Sequence, residues 1–428
     1  MSRHALFFLT LLAAALGPLP ALATECQLGD LDGGRVVTVD GAQLPQGKGL
    51  SHQRLSVLVW DGDRFVPVAF QIDQRDEYGL VWFEESGHRL SGEPGVFGDD
   101  DQLLLMLAEA GHQAPAHAEP DQGELLARLS VGKGCYFYLA KDHPGRSDRY
   151  YVHHDLDTGV TRTGLYELRV DPDNELNWQY LSYHSYQGQG SIIDTLKMRM
   201  SAGVLSRFTR MNLDNHNLRP RLTGFRQGQI RSVMHLRTRV VFAGIPVMTL
   251  QVQAMRYASH YEAHSYARVP DLYRATLKEP EVSVSIDGNA QYGARVYTGN
   301  PEVSPVTVTG QPSEAAERFQ EQGIDAENNW ILFDSGQDFT LLTQLNLPDE
   351  LKSLPIGLIY QDDETLKVEP EQYPGQLPNL GYVLRGWPDP QELRFAVSLY
   401  FDAGLDDLPH RQFAAQRGEP VAVEVSAP

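Results

Sequence analysis

The chain has little of what the common catalytic and membrane classes require. Among its 428 residues there are two cysteines, Cys26 and Cys135. No Cys-x-x-Cys, Gly-x-Ser-x-Gly elbow, Walker A loop, dinucleotide fingerprint or His-Glu-x-x-His pair is present, so ordinary hydrolase and nucleotide chemistry lack their usual supports. Beyond residue 23 no apolar run approaches the roughly 18 residues of a spanning helix. Helical periodicity is scarce, and no internal repeat of fixed period occurs. Cations are the minority: 36 Lys and Arg stand against 56 Asp and Glu, for a formal charge of −20. That balance disfavours nucleic acid as a partner.

What is there begins with an address. Residues 1–23 carry a short basic start (Arg3, His4), an apolar run from Ala5 to Leu16 and a small-x-small site at Ala21-Leu22-Ala23, the pattern of a cleaved secretory signal peptide. A mature chain beginning near Thr24, in the periplasm or secreted, is expected, with no transmembrane segment after cleavage. Glu25 ahead of Cys26 does not suit lipoprotein processing. In an oxidising compartment an even pair of cysteines tends to be bridged, so Cys26 and Cys135 are expected to form one disulfide rather than two buried thiols.

The turn chemistry describes an all-β, mainly antiparallel protein. Short β-rich runs at Arg35 to Val39, Leu55 to Trp60, Arg64 to Ile72, Leu80 to Phe83, Gln102 to Leu107, Glu124 to Val131 and Cys135 to Ala140 are spaced as in a sandwich. Pro67 confines the third run to an edge or a bulge. About 405 mature residues exceed one ordinary core. Two β-sandwich domains are expected, at 24–148 and 149–415, with one or two short helices and a flexible tail at 416–428. Pro312 to Gln322 is the clearest helix, with Ser313 as its N-cap and Gly323 as its stop.

The organising stretch is Lys197 to His264. From Lys197 to Arg256 there are eleven Lys or Arg and one acid, Asp214. A cationic band this dense on a chain whose remainder carries about −30 suggests an anion-facing surface. The stretch has a strand period: Arg231, Val233, His235, Arg237 and Arg239 share one face, while Met234, Leu236 and Val240 share the other. After a Gly-Ile-Pro turn at 244–246, Val247 to Ala267 reads as a second long strand whose one face carries Arg256, Ala258, His260, Glu262, His264 and Tyr266.

The segments Pro67-Val68-Ala69-Phe70-Gln71-Ile72-Asp73 and Phe97-Gly98-Asp99-Asp100-Asp101-Gln102-Leu103, with a strand ending Glu109-Ala110-Gly111, resemble the opening module of uncharacterised exported bacterial proteins. Those modules resemble carbohydrate-binding sandwiches, and the C-terminal parts resemble the large sandwich of mutarotase-like proteins. The resemblance implies a pair of β-sandwiches and a sugar ligand, and no catalytic residue.

Three chemistries fit these residues. Arg231, His235, Arg237, Arg239, Arg256 and Glu262 are the candidates for binding an anionic carbohydrate or cell-envelope ligand, the arginines through bidentate hydrogen bonds to its acidic groups. With Tyr257, Tyr261, His260 or His264 as proton shuttle, the same face would suit a polysaccharide lyase or an epimerase-like enzyme acting on uronate polymers. A scaffold docking an acidic protein is the third reading. His260, Glu262 and His264 are a zinc-type set, but neighbours on one straight strand lie about 7 Å apart, so a metal site would need help from His184 or His235. The acidic loops at Asp73, Asp76 and Glu77 and at Asp99 to Asp101 could hold calcium or be paired to the basic band. No metal and no cofactor is expected, and nothing in the sequence bears on oligomeric state.

Overall fold

The computed structural model describes residues 26–387 and 391–428; the expected signal peptide lies outside them. Every strand pairing is antiparallel, and the fold is all-β in the expected sense. Among the described residues three α-helices interrupt it, one more than the one or two expected: Asp271–Thr276, Glu314–Gln322 and His410–Gly418. The second starts where expected, because the Ser313 hydroxyl accepts from the Ala316 amide at 3.1 Å.

Two small sheets form the first sandwich. One has three strands, with Gln102–Met106 between Val36–Asp40 and Phe70–Asp73. The other includes Leu55–Trp60, Tyr136–Lys141 and Glu124–Ser130. Their inner faces close on Val37, Val57, Leu103, Leu105, Leu129 and Phe137, all fully buried. The run read as Arg64 to Ile72 is divided after Pro67 into two strands belonging to different sheets, since proline has no amide to continue a ladder. Leu80 to Phe83 makes only an isolated bridge, Arg75 to Val81.

The larger part is a ten-stranded sheet packed against five- and four-stranded sheets. Its centre runs Arg231–Phe242, Ile245–Tyr257, His260–Arg268, Glu392–Asp402 and Thr340–Asn346. One face of these strands enters the main core through Leu236, Val252, Tyr261, Val397 and Leu399. The opposite face is mixed: Val233 and Met255 join Ala69, Val81, Leu104 and Met106 in a second apolar cluster, polar side chains occupy much of the rest, and the first sandwich and the chain's last residues lie against it.

Residues 416–428, expected to be a loose tail, complete the last helix and then form a strand, Glu424–Ser426, on the Glu124–Ser130 edge of the first sandwich. Val421, Val423 and Val425 pack on its core. Covering an open sheet edge and partly burying three valines explains why this polar-looking segment holds to the sandwich.

Cys26 and Cys135 are bridged, 109 residues apart in sequence. Cys135→Ser should therefore lower stability by about 4 to 5 kcal/mol in the chain-entropy account, read as a fall in thermal midpoint. Alkylation of both thiols in the unreduced native protein would contradict it.

Candidate functional site

The strand read as Val247 to Ala267 is two strands joined at Ala258-Ser259, and this single turn redistributes the expected site. Twenty-one residues exceed an ordinary strand, which was the available signal. Across a two-residue turn the side-chain parity inverts. Arg256 therefore pairs with Tyr261 on the core face, while Met255 pairs with Glu262 and Gln253 with His264 on the polar face.

Arg256 is fully buried under the sheet in an ion pair with Glu175, its guanidinium over the Tyr261 ring. Tyr261 itself meets Trp178 edge-on at 4.8 Å. These two residues face the main core, away from the polar face that carries the other candidates.

On the polar face, Arg231 is also buried, and its guanidinium is the hub of a chain of contacts. Its Nε donates to Asp73 at 2.8 Å, one Nη to the Tyr257 hydroxyl at 2.6 Å and the other to Gln102 at 3.1 Å. Asp73 also accepts from Arg226 at 2.7 Å and from Gln71. Gln71 in turn accepts from the amides of Ile230 and Arg231. The Phe70-Gln71-Ile72-Asp73 motif thus fastens the first sandwich to the large sheet. Burial pushes the Asp73 carboxyl up, but Arg231 and Arg226 outweigh it and hold the group below its usual range. His235 sits in the same junction, bonded to Gln251 and Gln253, and Gln253 clasps the backbone of Val81 on both sides.

The acidic loops are engaged by protein donors. Asp76 accepts from the Tyr78 and Leu80 amides and contacts His88 at 2.6 Å; Asp101 contacts His52 at 3.0 Å, and Asp99 pairs with Lys48. Asp73 is tied to the basic band itself.

Beyond Arg231 the contacts continue toward an open cleft. The Tyr257 hydroxyl donates to Glu262 at 3.3 Å, and Glu262 bonds His264 at 3.0 Å. His260 stacks on Tyr257 with ring centres 3.8 Å apart and reaches Glu262 at 3.9 Å. Burial pushes the Glu262 carboxyl up, yet the His264 hydrogen bond and the charges of His264, His260 and Arg231 pull it down to about 2. Burial lowers His260 to about 3, so it is neutral. Burial also raises the Tyr257 hydroxyl well above its ordinary value.

Glu262 and Tyr400 lie where two cavities meet. One, of about 380 Å³, is bounded by Arg35, Thr38 and Asp40 of the first sandwich, by His260 and by Arg417. The other, of about 590 Å³, is bounded by Trp330, Asn328, Gln344, Asn346 and Arg411. The last helix and Gly418 to Pro420 form the far wall of both. Arg417 holds that wall in place, donating to Asp402 at 2.8 Å and to the Ser259 hydroxyl at 2.6 Å while lying over Tyr400. Ser259 donates to Gly34 at 2.7 Å, where a Cβ would collide with it, so glycine is needed there.

The structure thus brings Tyr257, His260, Glu262 and His264 together and holds Arg231 behind them. Arg237 and Arg239 lie elsewhere, exposed near the far end of their strand. Trp330, Gln344, Tyr400, Arg411 and Arg417 were not legible as site residues, because strands and a helix more than 60 residues downstream supply them. Together these features define an all-β protein of packed sandwiches with a polar cleft at the junction of its parts.

No family model matches the chain, and no curated protein matches it. Among solved structures it is similar to an α-mannosidase from Enterococcus faecalis V583, at 9% identity over 95% of this chain and 45% of that one, with a TM-score of 0.49. A glycosyl hydrolase family 38 protein from Enterococcus faecalis is similar at 10% identity, over 95% and 46% of the two chains, with a TM-score of 0.47. The chain spans less than half the length of either, and a likeness at this level assigns no residue and no activity.

Proposed function

We propose that the protein is an exported carbohydrate-binding protein whose ligand lies in the cleft around Glu262 and Tyr400. The carrying observation is the cleft's composition: an ionised carboxylate, the side-chain amides of Asn328, Gln344 and Asn346, and the rings of Trp330 and Tyr400 line two adjoining cavities. Sugar hydroxyls pair with carboxylates and amides, and the apolar faces of sugar rings pack on aromatic rings. Acidic groups on the ligand would be met by Arg35 and Arg411, which keeps an anionic envelope polysaccharide within this reading. The disulfide suits an oxidising compartment.

The lyase reading has one observation in its favour, the His264 imidazole oriented by Glu262 with its side chain 36% exposed. Tyr257 and Tyr261 suit it poorly, because burial keeps both hydroxyls protonated.

The test is titration of the mature protein with a panel of neutral and uronate polysaccharides, monitored for binding and for unsaturated product in the ultraviolet. Trp330→Ala and Glu262→Gln should each weaken binding by roughly tenfold or more, the loss of one stacking or charge-assisted contact. Unchanged affinity in both variants would remove the cleft as the site. Product formation abolished by His264→Gln would replace the binder with the enzyme.

A further inference from the structure

The cleft leaves the exposed part of the cationic band unexplained. Arg219 lies directly opposite Arg239 across an antiparallel pair. Arg221 and Arg237 exchange backbone hydrogen bonds at 3.1 and 2.9 Å and so face each other as well. All four arginines are exposed, and none has a carboxylate partner among the described residues. Like charges directly opposed on neighbouring strands destabilise a sheet. Arg239 is six residues along its strand from the row that holds Glu262, roughly 20 Å by the strand rise, so this cluster is separate from the cleft.

The same end of the molecule carries seven of the ten exposed large hydrophobic residues described, Val204, Leu205, Phe208, Leu222, Phe242, Ile245 and Leu272. Leu205, Phe208, Ile245 and Leu272 are 75%, 83%, 67% and 66% exposed, the four highest values among the large exposed hydrophobic residues described. They belong to three tips that are bonded into one. The Leu205 amide donates to Thr276 at 2.8 Å, and the Tyr273 hydroxyl donates to the Val247 carbonyl beside the 242–245 turn. Phe242, three residues beyond Arg239, is exposed on that turn, and Arg207 lies over the Phe208 ring at 4.9 Å. Asp271, Glu279 and Glu281 stand in these segments beside Arg207, Arg210, Arg274 and Lys278, of which Arg210 faces Glu281 at 3.6 Å, so the four arginines add an excess of positive charge.

An exposed apolar patch marks an interaction surface, and the charge next to it selects the partner. A protein groove would cover aromatic tips but would need a matching acidic wall for four arginines at once. A lipid surface supplies both, an acyl boundary for Leu205, Phe208, Ile245 and Leu272 and anionic headgroups for the arginines. We propose that this end docks the protein peripherally on a membrane surface bearing anionic headgroups, with the tips inserted and the cleft held clear of the bilayer. The inference is independent of what the cleft binds.

The experiment is sedimentation of the mature protein with phosphatidylcholine vesicles, with or without roughly 30% phosphatidylglycerol. Expected is binding to the anionic vesicles alone, weakened at least tenfold between roughly 50 and roughly 500 mM salt as the headgroup attraction is screened. Arg219→Gln, Arg221→Gln, Arg237→Gln and Arg239→Gln combined should lose at least tenfold in vesicle affinity. Phe208→Ser, Ile245→Ser and Leu272→Ser combined should do the same. Glu262→Gln should sediment as the parent does, which separates this result from any failure at the cleft. Protein remaining in the supernatant with anionic vesicles at low salt would overturn the proposal. So would equal binding to phosphatidylcholine alone, or full binding by the serine variant to a soluble anionic polymer and to vesicles alike. Should one variant misfold, the other and the parent's lipid dependence still decide.

Discussion

Asp73→Asn is expected to destabilise the protein by about 3 to 5 kcal/mol, the usual cost of leaving a buried charge without its partner. Asp73 is fully buried and Arg231 almost so. With the carboxylate gone, Arg231 keeps only neutral acceptors, the new amide, Tyr257, Gln102 and the Met255 sulfur, to offset its desolvation. The pair also joins the first sandwich to the large sheet, so the loss should appear as a lower midpoint in chemical unfolding. Arg237→Gln with Arg239→Gln, on the same strand but exposed, should change stability by less than about 0.5 kcal/mol. Replacing both buried partners, Asp73→Leu with Arg231→Met, should recover part of what Asp73→Asn loses, because the one charge left without its carboxylate is Arg226, whose side chain is 33% exposed and can be hydrated. Equal losses for the buried and exposed sets, measured by denaturant titration, would refute this division of the basic band.

Acid should weaken the protein well above the ordinary carboxylate range, through buried histidines. Burial lowers His260 and His154 to about 3, against an unfolded value of 6.5. Between those values the unfolded chain binds a proton at each site that the folded one does not. Stability therefore falls as pH drops below about 6.5, by about 1.4 kcal/mol per pH unit for each histidine, and the fall ends near pH 3. Glu262 acts lower. Its folded value of about 2 lies below the ordinary 4.5, so its contribution is full above about pH 4.5 and is lost as pH falls toward 2. His260→Gln should reduce the slope from pH 6.5 down to about pH 3, leaving the part of the loss below pH 4.5 that belongs to Glu262 and His154. Thermal midpoints that coincide at pH 7 and pH 5 in the same salt would rule this out.

The arginines of the first prediction looked alike in the primary structure. Arg231, Arg237 and Arg239 share one strand face by period, and that periodicity is correct: Leu236 and Val240 point into the core and the arginines do not. Period alone cannot say what lies over a face. The first sandwich covers the near end of the strand, so Arg231 and His235 became part of a junction, whereas nothing in the described structure covers Arg237 and Arg239. Arg256 moved for a local reason, the two-residue turn at Ala258-Ser259, which contains neither glycine nor proline to announce it.

The sequence by itself determined the secondary-structure class, the one disulfide, the helix after Ser313 and the two faces of the 231–242 strand. Each depends on local chemistry: strand period, turn and cap residues, and the tendency of an even cysteine pair to bridge. Only the tertiary structure decided that Gln71 and Asp73 are a clasp, that residues 416–428 close a sheet edge, and that Trp330, Tyr400 and Arg417 share a cleft with Glu262. Those contacts join residues separated by about 70 to 300 positions along the chain. Their free energy comes from apolar burial and from hydrogen-bonded charge pairing that offsets desolvation, between surfaces that come together only when the separate sheets meet.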